Sequence, residues 1–565
     1  MSRSLFQTIG GLGLMGLLLA ILLILVVVPF GMLVYASFLT AVPFSGERDL
    51  AFTLANYADL LSADLGRACL NTLIVSLGGS AMAMAIGCGL AWLAARTDVP
   101  GKSLVHLAGV MPLFMSLLVA AVTWSLLGSG RSGYLNLIFD YIGLPLRIQM
   151  QSLTGITFVH GLYYAPYPFI FLYSALTLVN ADMEEAAAVH GGTMARNLRR
   201  VTFPLVKPAL IGSFLLSVVL MAEDFPVPQI LGAPVGIETL SISIYKLMSV
   251  VPAKPTHAAA ASILLTAVVF VLIFMQRLVL SGRDYRTLTG KGAQVRPIRL
   301  GRWRWPALGL VILYAFVAVG LPMAALLQGS LRSNLFIRDA AALFDSSQLS
   351  LVNLKAALFN SAFHESLMNS VVAGVITAAL GSILFFTLSY VVNRSTLPGR
   401  QSLEYLAMTP IAVPALVMGL GILWTWVRAP VPVYGTLAIL VIAFLTRFLP
   451  QGYRTVSSSI KQVHDDLESA AMVAGATRRR AIQTITMPLV RGGVVASAFL
   501  MIVLGLRELT SSLLLYTTKT RVLSIVIYEQ YVNGNWAQVS ALSLIYTSLL
   551  VILTLAGRRF LRAQL

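Results

Sequence analysis

The chain has 565 residues, 58% hydrophobic and only 11% charged, with 40 Lys and Arg against 22 Asp and Glu. Soluble domains hold about 45–50% apolar and about 25% charged residues, so a chain this apolar could not cover its own surface and belongs in a bilayer. The net charge of +18 reads as cytoplasmic loops obeying the positive-inside rule; no extended basic stripe with interleaved aromatics points to nucleic acid.

The first apolar run extends from about Gly11 to Leu39. It is too long for a signal-peptide core and long enough to cross a bilayer of about 30 Å. Five more spans fit 70–95, 104–128, 153–178, 205–232 and 258–280. A basic, glycine-bearing stretch follows at 282–305. Six further spans fit 306–328, 368–393, 403–427, 434–453, 489–516 and 538–557. These continuous runs exclude a barrel, whose strands would alternate. With both termini inside, the inner loops and ends hold 26 Lys and Arg and the outer loops 13, while Arg447 falls within a span. That bias supports cytoplasmic termini.

The two halves repeat. Asn71-Thr72 through Arg96 and Pro100-Gly101 align with Asn369-Ser370 through Arg394 and Pro398-Gly399 at an offset of 298. Beyond a longer outer loop near 129–152 the offset becomes 284, matching Pro166 with Pro450 and Pro204 with Pro488. Six spans per copy, an even number, give both copies the same orientation. The expectation is an all-α membrane protein of 12 transmembrane helices in two parallel six-helix repeats. Its parts are a first unit (1–281), a cytoplasmic linker (282–305) and a second unit (306–565).

One loop recurs in both halves. The first copy runs from Asp182 through Glu184-Glu185-Ala186-Ala187 and Gly191 to Pro204. The second runs from Asp465 through Glu468-Ser469-Ala470-Ala471 and Gly475 to Pro488. Each reads as a short helix with acids at its front, where the macrodipole favours them. A glycine turn follows, free to adopt a left-handed backbone. A proline able to open the next membrane helix closes the motif. The Gly-to-Pro spacing is 13 in both copies.

This pattern resembles the permease signature of ABC importers: Glu-Ala-Ala, three residues, Gly, nine residues, Ile-x-Leu-Pro. The first copy fits at Glu185-Ala186-Ala187, Gly191, Val201, Phe203 and Pro204. The second fits at Ala470-Ala471, Gly475, Ile485, Met487 and Pro488, with Ser469 where the Glu should stand. The resemblance implies a type I importer permease fold, in which loops 182–193 and 466–477 dock into two copies of a separate ATPase subunit. It also implies a periplasmic or surface substrate-binding protein, residence in the bacterial cytoplasmic (inner) membrane, no catalysis and no cofactor in this chain, and ATP with Mg on the ATPase subunits. Among fused permeases the chain is most similar to the ferric-iron branch, through Glu223-Asp224-Phe225-Pro226 onward and the linker Thr289-Gly290-Lys291-Gly292. Thiamine, aminoethylphosphonate and polyamine importers are the alternatives.

Two short motifs point elsewhere and fail on context. Gly11, Gly13 and Gly16 spell a dinucleotide fingerprint, yet no strand precedes them. Gly101-Lys102-Ser103 ends like a phosphate loop but lacks its first Gly. Cys69 and Cys88 lie about 28 Å apart if helical, too far to bridge. The six His form no ligand-spaced pair, and no metal site is assigned. Charges in hydrocarbon are costly and mark function. Glu223 and Asp224, with Arg507 and Glu508 at matching places, are therefore the candidate substrate path. Carboxylates would suit a hard cation. A secondary transporter without an ATPase is the reading from another class, and it leaves the paired loops unexplained.

Overall fold

The computed structural model describes residues 2–42, 50–60, 63–179, 196, 198–280, 297–332, 337, 340–343, 345–427 and 429–564. Among the described residues the chain is helical, with isolated bridges only. Eight helices are long and apolar enough to cross a membrane: Leu12–Ser37, Asp64–Arg96, Phe203–Ala222, Pro255–Leu278, Gly301–Leu331, Ser361–Arg394, Arg478–Arg507 and Trp536–Gly557. Among the described residues, four further helical segments bring each half to six. Two are bent pairs, Lys102–Phe114 with Leu117–Gly128 and Arg400–Ala412 with Ala415–Trp426. The others are Leu153–Tyr164 continued by Pro166–Leu178, and the unbroken Leu437–Gln462. At 1.5 Å per residue, 26 residues reach about 39 Å.

The spans expected at 104–128 and 403–427 are not straight. Each bends, by 96° in the first half and 111° in the second. The cause is local. A proline sits inside a tight turn at Met111–Phe114 and at Thr409–Ala412. Extended residues Met115-Ser116 and Val413-Pro414 then break the hydrogen-bond ladder. The residues next to each break are mostly apolar, Ser116 and Thr409 apart, so hydropathy does not see it. The spans expected at 205–232 and 489–516 stop early, at Ala222 and Arg507. Beyond Ala222, Pro226–Val235 and Leu240–Ser249 form a third bent pair, at 73°.

Among the described residues four π-helical turns punctuate the long helices, at Leu23–Val27, Leu198–Thr202, Phe316–Gly320 and Ile482–Thr486. Each ends two residues before a proline: Pro29, Pro204, Pro322 and Pro488. A proline ring clashes with the carbonyl four residues back and offers no N–H; the wider π turn absorbs both faults without breaking the helix. Pro488 therefore does not open a helix, as the sequence suggested. It lies within a continuous Arg478–Arg507 helix, and the residue before Pro204's helix, Thr202, is likewise helical.

The repeat extends to individual hydrogen bonds. Asn71 donates to the Glu238 carbonyl (2.9 Å), and Asn369 donates to the Arg521 carbonyl (2.9 Å). The Thr72 hydroxyl accepts from Leu240 N–H (3.0 Å) and the Ser370 hydroxyl from Leu523 N–H (2.8 Å). These side chains satisfy backbone groups at the start of a helix that cannot reach water.

The halves are also tied to each other. Tyr163 donates its hydroxyl to the Ala318 carbonyl (2.8 Å), and Thr446 donates to the Leu25 carbonyl (3.2 Å). Both acceptors lie in π turns, where the ladder is loosened. Tyr314 returns a bond to the Leu162 carbonyl (2.9 Å). The helix that starts the second half begins at Gly301, inside the stretch expected as linker. Ile298 just before it bridges Thr97, and Leu300 N–H donates to Asp98 (2.7 Å).

Candidate functional site

Two places stand out, one central and one at the end of the molecule. The central one is a cavity of about 190 Å³ where both bent pairs break. Its wall includes Met115 and Ser116 from the first break and Ala415 from the second, with Tyr163, Tyr164 and Tyr167. The charges on it are Glu223, Asp224, Arg447, Arg507 and Glu508. The sequence placed four of these five on one path, and the structure brings all four together. It adds Arg447, which the sequence placed within a span.

The five charges have different duties. Asp224 is held by His160 (3.0 Å), by the Tyr164 hydroxyl (3.4 Å) and by Val227 N–H (3.1 Å). Glu508 accepts from Ser511 N–H (2.8 Å) and from the Ser511 hydroxyl (3.0 Å). Both carboxylates thus accept the backbone N–H three residues on, in the manner of a helix cap. Their own carbonyls also match, receiving Ser241 and Ser524 hydroxyls, each at 2.7 Å.

Glu223 and Arg507 occupy equivalent places and differ. Arg507 donates to the Met115 carbonyl (3.0 Å), an acceptor freed by the bend. Glu223 cannot donate. It is 6% exposed and meets the Arg447 guanidinium with two contacts, at 2.6 and 3.4 Å. Arg447 comes from the second half, so this bidentate pair crosses the cavity between the halves. The equivalent of Arg447 in the first half is Tyr163. Among the described residues no three His, Cys, Asp or Glu converge as a metal-holding group.

The second place is the recurring loop. Its first copy, with Glu184, Glu185, Ala186, Ala187 and Gly191, lies outside the described residues. The second copy is a nine-residue helix, Asp465–Val473. Gly475 ends it at φ +92°, with Gly475 N–H on the Met472 carbonyl (3.1 Å) and Ala476 N–H on the Ala471 carbonyl (3.0 Å). That is the paired-bond glycine terminus, and only a residue tolerant of a left-handed backbone fits it. A side chain at Gly475 would meet open space. Thr477 then caps the next helix through Arg480 N–H (3.3 Å).

The faces of this helix divide sharply. Glu468, expected with the docking residues, is 6% exposed and points into its own bundle. It accepts from the Tyr390 hydroxyl (2.8 Å) and from Thr486, which lies in the π turn. Arg478 stacks 5.8 Å above the Tyr390 ring and donates to its hydroxyl (3.3 Å). Arg394 pairs with Asp465 and donates to the Ile460 carbonyl (3.1 Å). Burial turns a potential surface charge into an anchor. Ser469 points outward with only a local bond to the Asp465 carbonyl (3.3 Å). Ala470 is exposed, and Leu467, Met472 and Val473 are 46%, 42% and 90% exposed. The helix thus presents an exposed apolar face while its other side is held by Tyr390, Thr486 and Arg394.

Two segments of the chain, residues 83–284 and 398–564, match the family described as "Binding-protein-dependent transport system inner membrane component". The chain belongs to this family. It carries the family's unit twice, one copy in each half of the repeat, and is an inner-membrane component. It is 26% identical over 475 residues to the ferric transport system permease protein FbpB of Actinobacillus pleuropneumoniae, covering 82% of this chain and 65% of that protein. The chain thus spans just under two thirds of that relative's length. It is 26% identical over 472 residues to the probable ABC transporter permease protein y4fN of Sinorhizobium fredii, covering 81% and 80% of the two chains. It is also 26% identical over 164 residues to a putative 2-aminoethylphosphonate transport system permease protein, PhnV, of Salmonella paratyphi A, covering 28% and 62%.

Proposed function

We propose that this chain is the transmembrane permease subunit of a binding-protein-dependent ABC importer, and that its cargo is ferric iron. The observation that carries the reading is the doubled family unit in one chain, together with a loop helix whose apolar face is exposed while its back is pinned by Glu468, Tyr390 and Arg478. Similarity to the ferric permeases supports the cargo.

In this reading two ATPase subunits grip loops 182–193 and 466–477 through Ala186, Ala187 and Gly191 in the first copy and Ala470, Ala471 and Gly475 in the second. Closure of the ATPases on ATP draws the loops together. The force passes through the continuous helix containing Pro488, and its counterpart containing Pro204, to the central cavity. Glu223, Asp224, Arg507 and Glu508 line the path there. A binding protein delivers cargo from the outer side, both termini stay in the cytoplasm, and ATP and Mg act on the partner subunits. No bond of the cargo is made or broken by this chain. A phosphonate cargo is the second reading, favoured by the two guanidinium groups on the cavity wall and by the PhnV relative.

The test is reconstitution in vesicles with an importer ATPase and a ferric-binding protein. Ferric iron should be taken up with ATP hydrolysis, and an aminoethylphosphonate-loaded system should stay silent. Uptake without any ATPase subunit would overturn the reading.

A further inference from the structure

We propose that Glu223 and Arg447 form a charge latch between the two halves, and that Glu223 is the group that selects a cationic cargo by exchanging Arg447 for it. The inference rests on the importer reading and adds to it a gate and a specificity residue.

Four observations converge. The pair crosses the pseudo-twofold division: Glu223 ends the Phe203–Ala222 helix of the first half, and Arg447 lies on the Leu437–Gln462 helix of the second. It is bidentate, at 2.6 and 3.4 Å, with the Arg447 side chain 17% and the Glu223 side chain 6% exposed. It stands on the wall of the central cavity, where the halves must part for anything to pass. It also has no twin, because Tyr163 and Arg507, the equivalents of Arg447 and Glu223, bond to the Ala318 and Met115 carbonyls instead.

The neighbouring acids cannot serve the same purpose. Asp224 and Glu508 have backbone N–H donors of their own and keep them when the halves separate. The described donors to Glu223 all come from Arg447. Parting the halves therefore leaves a carboxylate and a guanidinium unpaired in a low-dielectric cavity, which is strongly unfavourable unless a cation takes Glu223 and the guanidinium turns to Glu508, which already acts on it electrostatically. A cationic cargo supplies that replacement. An empty path re-forms the pair and closes. Arg447 thus stands in for the cargo, and the latch opens at low cost only when cargo is present.

The experiment measures ATPase activity and cation uptake in the reconstituted complex, with and without binding protein. Arg447→Gln removes the latch but leaves the carboxylate. Activity without binding protein should rise at least about fivefold while ferric uptake stays within about threefold. Glu223→Gln should raise the same basal activity and cut uptake at least about tenfold. The charge-swapped pair, Glu223→Arg with Arg447→Glu, should return basal activity to near the starting value without restoring uptake. Basal activity unchanged in both single variants would overturn the latch. Uptake lost equally in both would overturn the exchange. Should the single variants fail to assemble with the ATPase while the swapped pair assembles, the cross-half tie is supported; failure of all three alike would overturn it. If the unaltered complex shows no activity stimulated by binding protein, it is the importer reading that falls, not the latch.

Discussion

The two halves of this chain agree in their scaffold and disagree in their cavity. Asn71 and Asn369, Thr72 and Ser370, Ser241 and Ser524 make the same bonds at matching places. Arg96 and Arg394 likewise both donate to the carbonyl ending the helix before the loop, at Val179 and Val463. These bonds satisfy backbone groups that a membrane will not solvate, and any unit of this fold must satisfy them. At the cavity the equivalences break: Glu223 against Arg507, Tyr163 against Arg447, His160 against Phe444. A path that carries one asymmetric object past a twofold axis has no reason to be symmetric. Shared bonds mark the frame, and the divergent charges gather on the cavity wall.

Several substitutions break or sharpen that contrast. The largest effect is expected at the loop. Gly475→Trp should lower binding-protein-stimulated ATPase activity more than tenfold. Gly475→Asn should lower it far less, because Asn accepts a left-handed backbone. The site is open within this chain, so an unchanged unfolding temperature of the Gly475→Trp chain without its ATPase would assign the loss to a partner surface, and a lowered one to backbone strain. Second, neutralising Glu223, Asp224 and Glu508 together should reduce uptake more than it reduces assembly with the ATPase. Full uptake in that triple variant would remove the path from this cavity. Third, Glu468→Ala leaves Tyr390 and Thr486 without their buried acceptor. It should destabilise the complex by about 1–3 kcal/mol, read as a lower unfolding temperature in detergent. Fourth, Asn71→Ala and Asn369→Ala should cost similar amounts, about 1–3 kcal/mol each. A large inequality would show that the frame is less symmetric than its bonds. The smallest effect belongs to Ser469→Glu, which gives the second loop the first loop's Glu at an outward position and should change activity less than about twofold.

Much of this was legible in the sequence, for physical reasons that also explain what was not. Apolar runs report membrane passage, and a fixed offset reports duplication, so the twelve passes and the two halves followed directly. Bends at Met115 and Val413 stayed hidden because a break between two apolar segments leaves hydropathy unchanged. A signal existed in Pro112 and Pro410, each at the same offset and three residues before the break. The π turns were legible too, had the four prolines at 29, 204, 322 and 488 been read together. Pairing of Glu223 with Arg447, 224 positions away, carries no local spacing and needs the fold. Glu468 was misplaced for a simpler reason: one residue along a short helix is about 100° of rotation, enough to turn a surface acid into an anchor.

The account stands on the loop helix receiving force from a separate ATPase, and one cross-link tests this directly. Val473, 90% exposed beyond the buried Glu468, is replaced by Cys in a chain carrying Cys69→Ser and Cys88→Ser; Val251, 98% exposed in the expected outer loop, is the control. A short cross-linker with a maleimide at one end and a photoactivated diazirine at the other, applied to membranes holding the assembled complex, should join position 473 to the ATPase subunit and leave position 251 unjoined. An unjoined 473, or equal joining at 251, would contradict the account.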